Sequence, residues 1–277
     1  MANFAELGDE ELWAAARMGP TMPVVPSAPS WCPSYKLVRV PKSRGKYRTI
    51  YIPDNTTKQR LRGHIPRLET ILSALDSSKV NYAFLKGKNP VLNALQHIGY
   101  NYTLTLDLVD FFDTVTPGHV RGILDETLIE ECFVDGAPRQ GLPTSPLVAL
   151  LGFMQVDKQI IIALQKLDVE FAYTRYADDL TFSFNERREL GKIKFTVQQI
   201  IQSNGFNLNH RKTRLQSVDN GRVIITGVAV DREGLYPTRK TKKRLRAALH
   251  QRNLRSARGL REWAKCKLPK ELVKIDE

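Results

Sequence analysis

Acid is what this chain is short of: 29 Asp and Glu stand against 42 Lys and Arg among 277 residues, a formal net charge of +13. Such a surplus attracts polyanions and releases their counterions on contact, so nucleic acid leads the expected partners. An anionic membrane surface could use the same charge, but long apolar runs are lacking as well. The longest, at residues 147–156, is too short to span a bilayer, and no signal-peptide pattern is present. The expectation is a cytoplasmic protein with no membrane partner. Cysteine is scarce: Cys32, Cys132 and Cys266 are odd in number and far apart, which argues against a disulfide framework and a paired-cysteine zinc site. The five His residues are equally dispersed, with no His-x-x-x-His pair. No internal repeat or low-complexity tract is found. A 42% hydrophobic content supports an ordinary folded core, and the length suits small packed subdomains without large accessory domains.

What is present is a regular alternation of patterns. Residues 4–18 carry Phe4, Leu7, Leu12 and Ala15 at helical spacing, and five prolines from Pro20 to Pro33 turn the chain into a linker. Val38 and Val40, a basic turn at 41–46, then Tyr47, Thr49 and Tyr51 predict a β-hairpin. Residues 58–75 return to helical spacing with a break or kink at Pro66, and 91–98 predicts a second helix. A strand over 103–108 carries Asp107 at its end, and Pro117 opens a helix toward Glu130. A Gly/Pro loop at 136–146 leads into an apolar helix at 147–164. Strands at 169–176 and 180–184 flank a tight turn holding Asp178 and Asp179. An amphipathic helix at 192–203, a short strand within 207–216 and a β-rich stretch at 222–230 follow. Residues 238–261 contain ten Lys or Arg and no acid, with Leu245, Ala248 and Leu249 on one face of a helix.

An Asp-Asp pair alone is ordinary in a turn, where the side chain bonds its own backbone. A third carboxylate at another strand end changes the weighing. Carboxylates gathered without a cation repel and raise one another's pKa, a cost with no purpose in a purely structural protein. Nucleotidyl transfer, by contrast, uses hard cations that take carboxylate oxygens and keep positions open for phosphate.

Tyr176-Ala177-Asp178-Asp179 resembles the Tyr-x-Asp-Asp hairpin of reverse transcriptases, and Asp107 matches that family's first catalytic aspartate. The likeness runs in order from Tyr35 to about Arg246. Pro41-Lys42 through Arg48-Thr49-Ile50 and Pro53 resembles the fingers hairpin. Gln140-Gly141-Leu142-Pro143-Thr144-Ser145-Pro146 resembles the Gln-Gly-x-x-x-Ser-Pro loop, and Gly205-Phe206-Asn207-Leu208-Asn209 with Lys212-Thr213 the segment beyond the catalytic hairpin. Asn93-Ala94-Leu95-Gln96-His97 and Ile225-Thr226-Gly227 resemble the Asn-Ala-x-x-His and Val-Thr-Gly segments of retron enzymes, the second with Ile in place of Val.

The resemblance implies an α+β fold, a right-hand polymerase with an antiparallel palm sheet, β-hairpin fingers and a short helical thumb. The expected divisions are an N-terminal helix and linker over 1–34, fingers over 35–100, palm over 101–232 with fingers elements around 115–145, and a basic helical thumb over 233–277. Two Mg²⁺ ions are implied, held by Asp107 and Asp178, with Asp179 and the Leu108 carbonyl adding to the site. Asp110 and Asp113 are read instead as helix-start caps. Lys46 and Arg48 would clamp the triphosphate, with Lys42 or Arg44 as alternatives to Lys46. Phe112 would bar a ribose 2′-hydroxyl or else serve the core, and Gln140 would face the sugar or be a solvated turn residue. Lys212 would protonate departing pyrophosphate or contact a phosphate. Asn93 and His97 are assigned to nucleic acid, with helix-face packing as the alternative. Arg239, Lys240, Lys242, Lys243, Arg244 and Arg246 would grip the duplex through phosphates.

The implied activity is RNA-directed DNA synthesis from deoxynucleoside triphosphates. A structured noncoding RNA supplies template and primer, the product is single-stranded DNA held in an RNA/DNA hybrid, and a separate effector protein completes an antiphage system. Rival readings are a non-retron defence or diversity-generating reverse transcriptase, and an RNA-binding scaffold for an effector.

Overall fold

The computed structural model describes residues 33–42, 47–75 and 79–265. The helix expected at 4–18, its linker, Cys32, Cys266, Arg44 and Lys46 lie outside the described residues. Alternating residues build the first hairpin as expected: β1 (Tyr35–Pro41) pairs antiparallel with β2 (Tyr47–Pro53), Val38 facing Ile50. Asp54 then accepts from the Thr57 amide at 2.7 Å and opens α1 (Asn55–Leu75), which buries Leu61, Leu68 and Leu72. This helix continues through Pro66, where a break or kink was expected. Pro66 lies on the exposed face, so the carbonyl it frees one turn back can be hydrated.

The short helix α2 (Pro90–Leu95) starts where the Asn89 side chain accepts from the amides of Val91 and Leu92, both at 2.9 Å. Next comes the central sheet, with strands in the order β4, β5, β3, β6. These are β3 (Tyr102–Asp107), β4 (Phe171–Tyr176), β5 (Asp179–Phe184) and β6 (Arg214–Ser217), all paired antiparallel. One face is covered by α6 (Ser145–Gln165) and α7 (Glu189–Ser203), the latter burying Ile193, Val197 and Ile201 at four-residue spacing. By length and composition α6 could cross a membrane, but most of it is buried in this core, where such a helix serves packing.

Between β3 and α6 the chain forms α3 (Phe111–Thr114), α4 (Pro117–Val120) and α5 (Glu126–Cys132). The single helix expected from Pro117 toward Glu130 is thus two. Gly122, at φ 81°, turns the chain, and the Asp125 side chain starts a new helix by accepting from the Leu128 amide at 3.1 Å.

A second sheet holds β7 (Val223–Ile225), β8 (Val228–Val230) and β9 (Leu235–Pro237). Its Val223, Ile225, Val228 and Val230 share a small core with Val91 and Ala94 of α2. The basic segment is likewise divided, into α8 (Arg239–His250) and α9 (Leu254–Ala264). Arg252 turns left-handed at φ 53° and the Asn253 side chain caps the second helix through the Ser256 amide.

Candidate active site

The two aspartate-bearing segments meet because β3 pairs with β5: Asp107 lies opposite Asp179, one step from the two-residue turn Ala177-Asp178. The Leu108 amide donates to the Asp178 carbonyl at 2.9 Å, carrying the ladder past the last strand residue. On the other side of Asp107, the Asn209 amide donates to the Asp107 carbonyl at 2.7 Å, and the turn after Asn209 brings up Lys212. Its ammonium donates to Asp107 Oδ2 at 2.7 Å. All four of Asp107, Asp178, Asp179 and Lys212 therefore come together, with the Leu108 backbone between them.

Their electrostatics are those of an under-neutralised acidic site. Burial raises the Asp178 pKa, and Asp107 adds to the rise. Burial, then repulsion from Asp178 and Asp107, pushes Asp179 up to about 6. Hydrogen bonding to Asp107 raises Lys212. Lys212 leaves the other Asp107 oxygen, Oδ1, buried and without a partner. A buried lone carboxylate oxygen is costly unless something positive meets it.

Among the described residues no three His, Cys, Asp or Glu are grouped closely enough to hold an ion by themselves. Mg²⁺, however, takes one or two carboxylates and completes its shell with water and substrate phosphates. The orphaned Asp107 Oδ1 and the raised Asp178 and Asp179 form a hard-oxygen donor set that suits such an ion.

The hairpin β1–β2 supplies the flank. Arg48 is exposed on β2, near enough for its charge to counter the rise at Asp178. The Gln140 carbonyl accepts from the Tyr51 amide at 2.8 Å, docking the Gly-rich loop on β2 with Gln140 half-buried. Gly141 permits this approach: at φ 106°, a Cβ there would collide with the Tyr51 carbonyl and Ile50. Lys42 pairs with Asp110 at 3.5 Å. The capping expected of Asp110 and Asp113 is corrected: the Asp110 side chain makes no cap bond, and Asp113 lies inside α3 and pairs with Arg139 at 2.9 Å. Phe112 is half-buried, its ring against Phe111 and Phe84.

Behind the sheet, two networks hold the hairpin that carries Asp178 and Asp179. Arg175 and Asp157 are 1% exposed and paired at 2.7 Å, with the Tyr173 hydroxyl donating to Asp157 at 2.6 Å. Sequence reasoning missed this pair, since nothing local marks a charge in a strand as inward-facing. The second network overturns the assignment of Asn93 and His97 to nucleic acid: they are 0% and 1% exposed. His97 bonds Thr174 of β4 at 2.7 Å and Ser183 of β5 at 2.9 Å, and burial holds its pKa down at about 3. The Asn93 amide meets the Thr226 hydroxyl at 3.3 Å, so the two short segments that resemble retron enzymes touch each other. Arg239, Lys240, Lys242, Lys243, Arg244 and Arg246 are all exposed along α8.

Comparison with known proteins adds findings of three kinds. The family model for reverse transcriptase (RNA-dependent DNA polymerase) matches residues 40–243. The retron Mx65 reverse transcriptase of Myxococcus xanthus is 32% identical over 245 residues, covering 78% of this chain and 56% of that protein. The retron Ec86 reverse transcriptase of Escherichia coli is also 32% identical, over 227 residues, covering 78% of this chain and 69% of its own length. Among solved structures, telomerase from Candida albicans in complex with a fragment of telomeric RNA superposes with a TM-score of 0.56 at 12% identity, covering 74% of this chain and 46% of that one. Apo telomerase from Candida tropicalis, truncated from its C-terminal domain, gives 0.52 at 17% identity, covering 74% and 55%. This chain thus spans little more than half of the Myxococcus relative.

Proposed function

The chain belongs to the reverse transcriptase family, in its retron-type branch and with its right-hand polymerase fold, and from that premise we propose that it copies RNA into DNA at Asp107, Asp178 and Asp179. The observation that carries the reading is the pairing of Asp107 with Asp179 beside the Asp178 turn, with one Asp107 oxygen buried and partnerless. Asp107 and Asp178 would hold the divalent ions, with Asp179 in support and the Leu108 carbonyl as a further oxygen. Mg²⁺, two ions in our reading, would supply charge stabilisation to the displacement at the α-phosphate. Lys212, whose ammonium donates to Asp107 Oδ2, stands at the site as the cation that would protonate departing pyrophosphate or contact a backbone phosphate. Arg48, with Lys46 two positions before it in the sequence, would offset triphosphate charge. Phe112 and Gln140 bound the sugar, Phe112 leaving no room for a 2′-hydroxyl.

The exposed cations of α8 contact phosphates of the RNA/DNA hybrid, with the fingers over 35–100, the palm over 101–232 and the thumb from 233 onward. Likeness to retron enzymes supports a structured noncoding RNA as template and primer, single-stranded DNA (msDNA) as product, and a cytoplasmic antiphage role with a separate effector protein.

The test is primer extension on an RNA template by Asp178→Asn. We expect synthesis to fall about 10³-fold or more, since a metal-held carboxylate contributes several kcal/mol to the transition state, with RNA retention unchanged. Undiminished DNA synthesis would reject the assignment. Sequencing the nucleic acid that copurifies with the protein tests the retron reading separately.

A further inference from the structure

We propose that Phe84 is a positioning residue for Phe112 and through it sets the preference for deoxynucleotides; this rests on reading Phe112 as the barrier to a 2′-hydroxyl. Residues 80–82 are tied to β4, with the Tyr82 amide donating to the Arg175 carbonyl at 2.9 Å and the Arg175 amide to the Val80 carbonyl at 2.8 Å. The next turn holds Phe84 at φ 58°, a left-handed conformation that strains a bulky side chain and suits glycine. Burial does not repay that strain, because Phe84 is 47% exposed. A cavity of about 560 Å³ beside α1, lined in part by Phe84 itself, gives the ring room on that side. The ring's aromatic neighbour is Phe112, met edge-on with centroids 6.2 Å apart.

Phe112 needs such a neighbour. It sits on a helix of four residues, and its other aromatic contact is Phe111, itself anchored in the core against Phe153 and Phe206. Phe112 thus lies between a core ring and a surface ring whose Cβ is placed by a left-handed backbone. Removing the surface ring frees Phe112 to swing outward and admit a 2′-hydroxyl.

The experiment measures kcat/KM for dGTP and for GTP on poly(rC)/oligo(dG), using the full chain with Mg²⁺. Phe112→Val is expected to lower the deoxy preference by about 10- to 100-fold, the range hydrophobic sites achieve. Phe84→Gly, which accepts the left-handed backbone and deletes only the ring, is expected to lower it by roughly 3- to 10-fold, the worth of one aromatic pair. Most of that change should come from faster use of GTP, Phe84→Tyr should restore the preference, and Phe84→Gly should add nothing in the Phe112→Val background. If Phe112→Val relaxes selection and Phe84→Gly does not, or if the two effects multiply, the role of Phe84 is overturned and that of Phe112 stands. If Phe112→Val leaves the preference intact, the barrier itself is misassigned and the proposal falls with it.

Discussion

The turn between β4 and β5 and the turn between β7 and β8 each span two residues, and each begins on a non-glycine residue in the left-handed region, Ala177 at φ 57° and Thr226 at 45°. At the second, the strained residue is held by its own side chain: the Thr226 hydroxyl donates to the Pro90 carbonyl at 3.2 Å and accepts from the Asn93 amide. The first is supported from beneath. Arg175, clamped to Asp157 and lying over the Phe153 ring, reaches the Ala177 carbonyl only at a long 3.5 Å, while Asp178 and Asp179 carry raised pKa values. A turn proposed to offer its acceptors to metal ions leaves them unspent on its own stability, and its support sits one layer below.

The largest expected effect breaks that lower layer. Arg175→Met leaves Asp157 buried and unpaired and should cost roughly 3–5 kcal/mol in urea unfolding. Adding Asp157→Leu should recover part of the stability while DNA synthesis stays low. Full recovery of synthesis would show that the Ala177-Asp178 turn needs no charged support.

Next comes His97, on the segment that serves both turns. Burial holds its pKa at about 3, far below the 6.5 of an ordinary imidazole, so an unfolding chain takes up a proton first as pH falls. Its contribution is therefore intact above about 6.5 and declines toward 3 by about 1.4 kcal/mol per pH unit. Unfolding free energies at pH 7, 6 and 5 should show this slope reduced in His97→Gln; equal slopes would mean His97 is not buried neutral.

Thr226→Val preserves shape but strands the Asn93 amide and the Pro90 carbonyl, at an expected cost of about 1–3 kcal/mol. Smallest is Ala177→Gly, which relieves left-handed strain and should stabilise by about 1 kcal/mol. Thermal melts of the two variants moving the same way would erase the contrast between the turns.

Much of this was legible in advance. Alternation around Asp107 and around the Asp178-Asp179 turn located the strands, and their ends bring those carboxylates together. The spacing predicts single helices at 117–130 and 238–261 because Gly122, Arg252 and Asn253 interrupt them without disturbing the apolar positions. The resemblance to retron enzymes assigns Asn93 and His97 to nucleic acid, with packing as the alternative; both are buried, Asn93 on a short helix that shares a core with the second sheet and His97 just beyond it against the first.

By itself, the order of residues determined the elements, the basic character and which carboxylates stand at strand ends, since local periodicity and turn chemistry act over a few positions. Only tertiary structure decided which polar groups are neighbours. Asn93 meets Thr226 across 133 positions and Lys212 meets Asp107 across 105, because docking of whole sheets and helices, with every buried donor needing an acceptor, sets those pairings.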